Sequence, residues 1–381
     1  MGTLKVDTIQ DSGGNTILSS DGSGGFTNSL PAGKTSSYRN LIINGDMSIA
    51  QRGNSFTGLT GTEYTLDRWR WTGFTDGSVG TFTVTQDTTV PTGQGFAKSL
   101  KADCTTAQAS PTGTNSLVLK TRFEGQHLQY LKKGTSSAES LTLSFWVRSN
   151  KTGTYVAELE DNDNTRHIAK TYTISAADTW EKKTITFDGD TTGAFTNDNN
   201  LSLTLGFYLV VGPDLASGTQ ATSWASLVAA NRAADQTVNI ADSTANEWYI
   251  TGVQLEVGTT ASDFEFLPYD VNLQRCMRYY FNHYTPDDNG LYGLFTAHTS
   301  SAGRMPYRFI VPMRDAPTVG SSTASGFTWL GNNTSGNPSA IGSESLNKYS
   351  CTVNITGSFT QGYSYWLAGS TTTQLNFDAE L

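Results

Sequence analysis

Apolar and polar residues alternate along many short runs of the chain. Leu141–Val147 and Leu201–Leu205 each place an apolar side chain at every second position. A period of two predicts half-buried β-strands. Comparable runs recur about every ten residues between Arg39 and Asp270. The clearest are Leu41–Ile43, Thr81–Thr85, Leu117–Leu119, Leu141–Val147, Thr154–Leu159, Thr184–Phe187, Leu201–Val211 and Trp248–Val257. This series predicts a jelly-roll β-sandwich over residues 38–270.

One stretch has the periodicity of a helix instead. Leu273, Met277 and Tyr280 recur at spacings of four and three within residues 271–281. Asp270, directly before them, is a suitable N-cap residue. We therefore predict a short linking helix over residues 271–281. Its apolar face is one reason to predict a homotrimer, with Leu273, Met277 and Tyr280 as contacts between subunits.

The two ends of the chain have different patterns. Residues 282–381 return to short strand-like runs separated by Gly, Asn and Ser, which predicts a second, smaller β-sandwich. Residues 1–37 contain the strand-like run Leu4–Ile9 and the Gly/Ser-rich stretch Ser19–Gly25. So few apolar residues cannot build a core alone. Such a segment is either disordered or completed by another chain. The alternating, hairpin-like pattern of Leu4–Leu18 favours the second, and we predict that another chain completes this segment.

Composition supports an all-β fold. The 381 residues include 56 Thr and 38 Gly, and only 15% are charged. Thr is β-branched and favours strands, while Gly supplies the tight turns between them. A helical bundle or a doubly wound α/β enzyme is therefore not expected. Aromatic residues make up 11% of the chain, which is enough to build hydrophobic cores.

Charge and cysteine content exclude further classes. The net charge of −9 comes with no run of basic residues, which argues against nucleic acid and anionic membranes as partners. No apolar stretch approaches the roughly 18 residues of a membrane span, so we expect no membrane insertion. The first residues lack the pattern of a secretory signal. Cys104, Cys276 and Cys351 are isolated and odd in number, which fits neither a disulfide framework nor a zinc site.

Motifs for catalysis are missing from the sequence. The four histidines do not form His-Glu-x-x-His, and neither Gly-x-Ser-x-Gly nor a P-loop occurs. The acidic residues Glu158, Glu160, Asp161 and Asp163 remain a candidate carboxylate pair for glycoside hydrolysis. The alternative is a polar hairpin tip between two strands. We predict no catalytic residues, no metal and no cofactor.

Aromatic residues in the last hundred positions suggest a binding surface. Trp329, Tyr363, Tyr365 and Trp366 lie among Gly, Asn and Ser. Rigid aromatic rings beside small polar groups are typical of adaptable recognition surfaces. An indole face also offers an apolar platform to the C–H groups of a sugar ring. We therefore predict these four residues as glycan-binding residues, with burial in the domain core as the alternative.

Several segments together resemble phage tail-fibre proteins. Asn40–Gly53, followed by Asp67–Trp71, resembles the opening of a domain found in tail-fibre and virion structural proteins. Thr179–Lys183 and Tyr249–Gly258 are similar to its later strands, and Arg275–Tyr280 resembles the Arg-Tyr-Tyr helix that often closes it. Val311–Val319 and Gly2–Gln10 complete this resemblance. The second of these is similar to the start of fibres from phages of marine cyanobacteria and other marine bacteria.

The resemblance implies a virion tail fibre. Such a fibre is usually a homotrimer that attaches through its N-terminus to tail adaptor or nozzle proteins and is assembled in the host cytoplasm. Residues 1–37 would be the attachment segment and residues 282–381 the distal receptor-binding domain. The expected ligand is host surface polysaccharide or lipopolysaccharide. The alternatives are a glycan depolymerase and a bacterial surface adhesin.

The resemblance also raises calcium binding. The central domain is similar to jelly-roll carbohydrate-binding modules. These often hold a structural calcium near an opening like Asn44–Met47, with a second ligand from an Asp in the last strand. The corresponding strand here, Thr251–Glu256, has no Asp. We therefore expect no metal.

Overall fold

The computed structural model of this protein describes residues 7–10, 13, 16–20, 26–28, 38–73, 78–284, 290–331, 333–370 and 373–381. The chain divides into two compact units, Met1–Leu41 and Ile42–Leu381. Antiparallel strands dominate the described part of both units, and a single α-helix lies in the second. The predicted all-β class is confirmed.

The first unit contains a small antiparallel sheet in the order β1-β2-β3. Its strands are β1 (Thr8–Gln10), β2 (Thr16–Ser20) and β3 (Phe26–Asn28). β1 is exposed along its whole length. The runs Leu4–Ile9 and Ser19–Gly25 lie partly outside the described residues. A small sheet needs a covered hydrophobic face to be stable, and completion of this segment by another chain stays a prediction.

The second unit begins with the central β-sandwich. Its strands are β4 (Ser55–Leu59), β5 (Glu63–Tyr64), β6 (Arg70–Thr72), β7 (Thr81–Asp87), β8 (Ser99–Thr106), β9 (Ser116–Glu124), β10 (Leu141–Ser149), β11 (Gly153–Asp161), β12 (Arg166–Ile174), β13 (Glu181–Phe187), β14 (Leu201–Val211), β15 (Ala225–Ser226) and β16 (Glu247–Val257). They form two sheets, in the orders β13-β10-β16-β8-β7-β4 and β15-β12-β11-β14-β9-β6-β5. Short 3-10 turns lie at Gly125–His127, Gln129–Leu131, Pro213–Leu215, Ala229–Asn231 and Ile240–Asp242.

The core of this sandwich lies between the two sheets. Phe145 of β10 packs edge-on against Tyr172 of β12 and Phe207 of β14, with ring centroids 5.0 and 5.1 Å apart. Trp248 of β16 is fully buried and lies 6.3 Å from the Phe207 ring, and Trp71 of β6 is fully buried against Phe82. These large aromatic groups account for much of the apolar area that stabilises the fold.

The outer face of the second sheet is also covered. Residues 213–236, here called the strap, cross this face, where Ala233 packs against Val156, Ala169 and Tyr208. β14 is consequently buried along almost its whole length rather than at alternate positions. A strand buried on both faces has a continuous apolar pattern, as Phe207–Val211 shows.

The chain then forms a smaller sandwich. Its elements are α1 (Tyr269–Met277), β17 (Tyr280–Tyr284), β18 (Gly290–Ala297), β19 (Ala302–Arg308), β20 (Thr318–Ser321), a 3-10 turn (Ala324–Gly326), β21 (Phe327–Gly331), β22 (Thr334–Gly336), β23 (Ala340–Glu344), β24 (Ser350–Thr356), β25 (Ser364–Gly369) and β26 (Gln374–Asp378). The sheet β17-β26-β20 packs against the sheet β22-β21-β25-β18-β19-β24-β23. No helix in the described ranges has both the length and the apolar character needed to cross a bilayer.

The predicted linking helix exists, but its bounds differ. It ends at Met277 instead of Phe281, because Tyr280–Tyr284 pairs with β26 as a strand. Tyr280 therefore does not share the helix face with Leu273 and Met277. It is buried beneath the guanidinium of Arg52, whose Cζ lies 3.6 Å from the ring centroid. The prediction that Tyr280 forms part of an exposed trimer surface is wrong. Leu273 and Met277 are half-buried, and a role in trimer contact stays a prediction for them.

The two sandwiches are joined by polar contacts. Arg52 pairs with Asp378 of β26, with 3.1 Å between Nη2 and Oδ2, and Arg68 pairs with Glu380. Arg68 also lies over the Tyr279 ring, with 3.5 Å from Cζ to the centroid. Phe281 and Phe377, on the opposite face of the same sheet, belong to the core of the smaller sandwich. The sheet β17-β26-β20 is thus the middle layer between the central sandwich and the seven-stranded sheet.

Candidate functional site

The outer face of the seven-stranded sheet of the smaller sandwich carries a row of apolar side chains. Trp366 of β25 lies opposite Leu294 of β18 on one side and Leu330 of β21 on the other. Directly opposite residues in antiparallel strands project to the same face. Trp366 is 46% exposed and Leu294 is 47% exposed, while Leu330 is half-buried. The indole therefore lies on an open surface between two leucines.

This surface points away from the central sandwich. The inner neighbours of the row, Phe295, Tyr365 and Leu367, pack into the core toward the middle sheet. The central sandwich contacts the other side of that middle sheet, through Arg52 and Gln51. The row and the central sandwich thus lie on opposite sides of the smaller domain.

Hydroxyl groups continue the same face. Thr296 and Ser364 are opposite each other two residues from the Leu294–Trp366 pair, and both are exposed. Their hydroxyl oxygens are 3.3 Å apart. The face therefore combines an accessible indole with hydroxyl donors and acceptors, which suits a ligand that has both apolar and hydroxyl groups.

Two of the predicted glycan-binding residues lie in the core instead. Trp329 packs against Phe359 and Tyr365, with ring centroids 5.5 and 5.3 Å away. Tyr365 is buried and its hydroxyl accepts a hydrogen bond from the Thr360 amide. The prediction that Trp329 and Tyr365 contact a ligand at the surface is wrong. Both occupy inward positions of their strands, in register with Leu367 and Phe295.

The other two predicted residues are accessible. Tyr363 is 49% exposed and lies immediately before β25, while Trp366 lies within that strand. Tyr363 and Trp366 thus lie at the surface, together with Leu294 and Leu330, which were not among the predicted residues. The signal for these leucines was the strand period, but it identifies two faces without saying which one is outside.

The candidate carboxylate pair belongs to a closed polar cluster under the strap. Glu158 is buried, and its Oε1 lies 2.8 Å from Nδ1 of His167. The Tyr208 hydroxyl donates to Oε2 at 2.8 Å, and Arg232 of the strap donates to both carboxylate oxygens. Arg232 also binds Glu160. The two carboxylates therefore share one guanidinium rather than facing an open cleft.

The cluster keeps Glu158 ionised. Burial by itself raises the pKa of this carboxyl, but the hydrogen bonds from His167 and Arg232 outweigh burial, and the net pKa is lower than usual. A general acid for glycoside hydrolysis needs a raised pKa. Glu158 is therefore unsuited to that role.

The remaining acidic candidates form the predicted hairpin tip. β11 ends at Asp161 and β12 begins at Arg166, and the two strands pair in register. Asp161 accepts hydrogen bonds from the amides of Asp163 and Asn164 and pairs with Lys133 at 2.5 Å. The hairpin reading of this segment is confirmed.

The candidate calcium loop, Asn44–Met47, is held by internal hydrogen bonds. The Oδ1 atom of Asn44 accepts a hydrogen bond from the Ile49 amide at 2.9 Å. Oδ1 of Asp46 accepts from the hydroxyl of Ser48 at 3.0 Å and from the amide of Asn272 at 3.2 Å. Protein donors thus bind the Oδ1 atoms of both side chains. The expectation that this loop holds no calcium stays a prediction. Across the described part of the chain, no three His, Cys, Asp or Glu side chains are grouped closely enough to hold a metal.

Comparisons with known proteins give fold-level likenesses only. No protein-family model matches the sequence, and no curated protein matches it. Among solved structures, the chain is similar to the enzymatically active domain of tailspike protein 4 of bacteriophage CBA120, at 15% identity and a TM-score of 0.32. That match covers 58% of this chain and 22% of the other.

Two further solved structures show the same level of similarity. One is a putative sugar-binding protein of Bacteroides thetaiotaomicron, at 14% identity and a TM-score of 0.31, covering 57% of this chain and all of that one. The other is a tandem carbohydrate-binding-module structure from Paenibacillus barcinonensis, at 10% identity and a TM-score of 0.23, covering 91% of this chain and all of that one. Scores this low carry no inference about the ligand of this chain.

Proposed function

We propose that this chain is a virion tail-fibre protein, without catalytic activity, that binds host surface glycan through the outer face of its smaller sandwich. The observation that carries this proposal is the accessible indole of Trp366 in a row with Leu294 and Leu330. The resemblance of the sequence to tail-fibre proteins supplies the biological setting. The site on this face is called the Trp366 face below.

The chemistry of the face suits a sugar. An indole ring presents a flat apolar surface at low entropic cost, since its side chain has only two rotatable angles. The axial C–H groups of a hexose can pack on such a ring. The hydroxyls of Thr296 and Ser364, on the same face, can exchange hydrogen bonds with the sugar hydroxyls.

The remainder of the proposal concerns assembly. Residues 1–37 would attach the fibre to tail adaptor proteins, and a homotrimer would present three copies of the Trp366 face. Several weak sites on one particle raise the total affinity through effective concentration. Sedimentation equilibrium at micromolar concentration should give about three times the 41.0 kDa chain mass, and a folded monomer would contradict this part.

The absence of catalysis is part of the proposal. The burial and the lowered pKa of Glu158 support it, because a general acid for glycoside hydrolysis needs a raised pKa. Incubation with each polysaccharide that binds should produce no new reducing ends. Release of reducing ends that depends on Glu158 or Glu160 would favour a depolymerase instead.

The binding test uses Trp366→Ala in the full chain. Immobilised capsular polysaccharides and lipopolysaccharides from a panel of bacteria are the probes. We expect at least one of them to bind, and the variant to lose tenfold or more in affinity. Tyr349→Ala is the matched control, since Tyr349 is an exposed aromatic residue of the same domain, outside the row. Binding to none of the probes, or equal binding by the Trp366 variant, would contradict the proposal.

A further inference from the structure

A groove of about 730 Å³ lies where the two sandwiches and helix α1 meet. One wall is the segment Ser48–Asn54 of the central sandwich. Leu273 and Met277 of α1 form the second wall. Phe281 and Gln374 of the smaller sandwich belong to the third wall. Ligand sites are commonly clefts of about 300–1,000 Å³ at domain interfaces, and the groove has this size and position.

Hydrogen bonds hold together the residues that line the groove. The Gln51 side chain donates to the Tyr280 carbonyl at 2.7 Å, and the Asn282 side chain donates back to the Gln51 carbonyl at 2.9 Å. These bonds cross between the two sandwiches. The Gln86 side chain also holds the start of the Ser48–Asn54 segment, because it donates to the Met47 carbonyl at 2.7 Å and to the Ser48 carbonyl at 3.1 Å. A preformed site avoids much of the ordering cost of binding.

The groove also offers polar groups that are still free. Within the described ranges, the side-chain amides of Asn54 and Gln374 form no hydrogen bonds, although both line the groove. An amide side chain supplies two donor hydrogens and an acceptor oxygen. Apolar groups lie beside these amides, including the half-buried Met277 and the largely exposed Tyr269.

The charge of the groove defines the class of ligand. None of the described residues that line it is Asp, Glu, Lys or Arg. His283, the remaining titratable group beside Tyr269, lies 2.9 Å from the Tyr307 hydroxyl through Nδ1. A phosphate or an acidic sugar would find no cation here, and a lipid chain would leave the amides of Asn54 and Gln374 without partners.

We infer that this groove is a second binding site, separate from the Trp366 face, for a neutral oligosaccharide. Amides would bind the hydroxyls, and Tyr269, Leu273 and Met277 would contact the C–H surfaces. The inference does not depend on the Trp366 face, because the groove and the row share no residue. A second copy of the chain is the competing occupant, since Leu273 and Met277 are predicted trimer contacts.

The experiment observes the Met277 methyl group by NMR in the full chain with ¹³C-labelled methionine methyls. Met277→Leu identifies its signal, and the buried Met47, Met305 and Met313 report on unrelated changes. The probes are cellotetraose, maltotetraose, mannotetraose and galactotetraose, with trigalacturonate as the charged control. We expect at least one neutral tetrasaccharide to shift the Met277 signal to saturation, and trigalacturonate to leave it in place.

Variants separate this site from the first. Asn54→Ala and Gln374→Ala should each weaken that binding about tenfold, whereas Trp366→Ala should change it less than twofold. No shift with any neutral tetrasaccharide, or full affinity in both amide variants, would overturn the inference. The inference would also be overturned if the Met277 signal responded only to protein concentration and lost this response in Leu273→Lys. A second copy of the chain would then fill the groove.

Discussion

Arg278 and Glu124 form a two-pronged ion pair, with 2.8 Å between Nε and Oε1 and 2.6 Å between Nη2 and Oε2. Glu124 ends strand β9 of the central sandwich, and Arg278 directly follows helix α1. The Tyr279 hydroxyl donates to the same carboxylate. A single buried acid thus fixes the segment through which the chain enters the smaller sandwich.

We predict that Glu124→Ala strongly destabilises the protein. The change leaves the Tyr279 hydroxyl and the half-buried Arg278 guanidinium without their acceptor, and a hydrogen bond to a charged group contributes about 1.5–3 kcal/mol. Asp178→Asn is the matched control, because the Arg148–Asp178 pair is solvent-exposed and such pairs contribute less than about 1 kcal/mol. Thermal unfolding followed by circular dichroism measures both. Equal midpoints for the two variants would show that Glu124 does not join the sandwiches.

The same carboxylate should make the stability of the protein depend on pH. Burial alone raises the pKa of Glu124, but the hydrogen bonds from Arg278 and Tyr279 outweigh it and leave the pKa below 4.5. Well above pH 4.5 the carboxyl is ionised in both the folded and the unfolded chain, and the stabilisation is complete. As the pH falls below 4.5 the unfolded chain binds the proton before the folded chain does, and the stabilisation is lost once the pH has passed the folded pKa.

Melting temperatures between pH 3 and pH 7 test whether stability falls on acidification. The wild-type midpoint should fall as the pH drops below 4.5. Glu124→Gln should start from a lower midpoint at pH 7 and lose less on acidification, because the variant has no proton to gain at this position. Asp178→Asn should follow the wild-type curve. A Glu124→Gln curve parallel to wild type would exclude Glu124 as a source of acid sensitivity.

Many of the strands could be predicted because each depends on a local alternation of apolar and polar residues. The Leu141–Val147 pattern, for example, lies within β10. The end of the helix could not be predicted in the same way. No Gly or Pro directly follows Met277, and the helix ends there because Tyr280–Tyr284 pairs with a strand about ninety residues later. Long-range pairing of this kind leaves no local signal.

The candidate site was only partly predictable for a related reason. Tyr365, Trp366 and Leu367 are consecutive large apolar residues. Strand alternation places Trp366 on one face of the sheet and the other two on the opposite face, but it does not show which face is covered. The groove could not be predicted from the sequence. Asn54, Met277 and Gln374 are far apart in the sequence and meet only after the two sandwiches have docked.

The core position of Trp329 leads to a prediction about glycine. A Cβ added at Gly336 would lie 2.7 Å from Cζ2 of Trp329, whereas one added at Gly342, on the opposite edge strand of the same sheet, would meet nothing within 4 Å. Overpacking of this kind typically costs about 1–3 kcal/mol. Gly336→Ala should therefore lower the unfolding midpoint in urea, while Gly342→Ala should not. Equal stability of the two variants would mean that the Trp329 ring can move aside.

The last prediction concerns Arg232, through which the strap is bound to the central sandwich. Its guanidinium donates to both oxygens of the buried Glu158 and to Glu160. Arg232→Ala should cost about 3–5 kcal/mol, because Glu158 would keep a buried charge that His167 and Tyr208 compensate only in part. Arg232→Lys keeps the charge but cannot form the forked contact, so its loss should be intermediate.

Proteolysis measures whether that loss is local to the strap. Brief digestion of the folded Arg232→Ala protein should cut within residues 213–236 well before the wild type is cut there, since the strap would open while the sandwich stays folded. Lys132→Ala, which breaks the more exposed pair with Glu139, is the control and should be cut at the wild-type rate. If Arg232→Ala lowers the melting temperature without earlier cleavage in the strap, then the guanidinium stabilises the sandwich as a whole and does not hold the strap in particular.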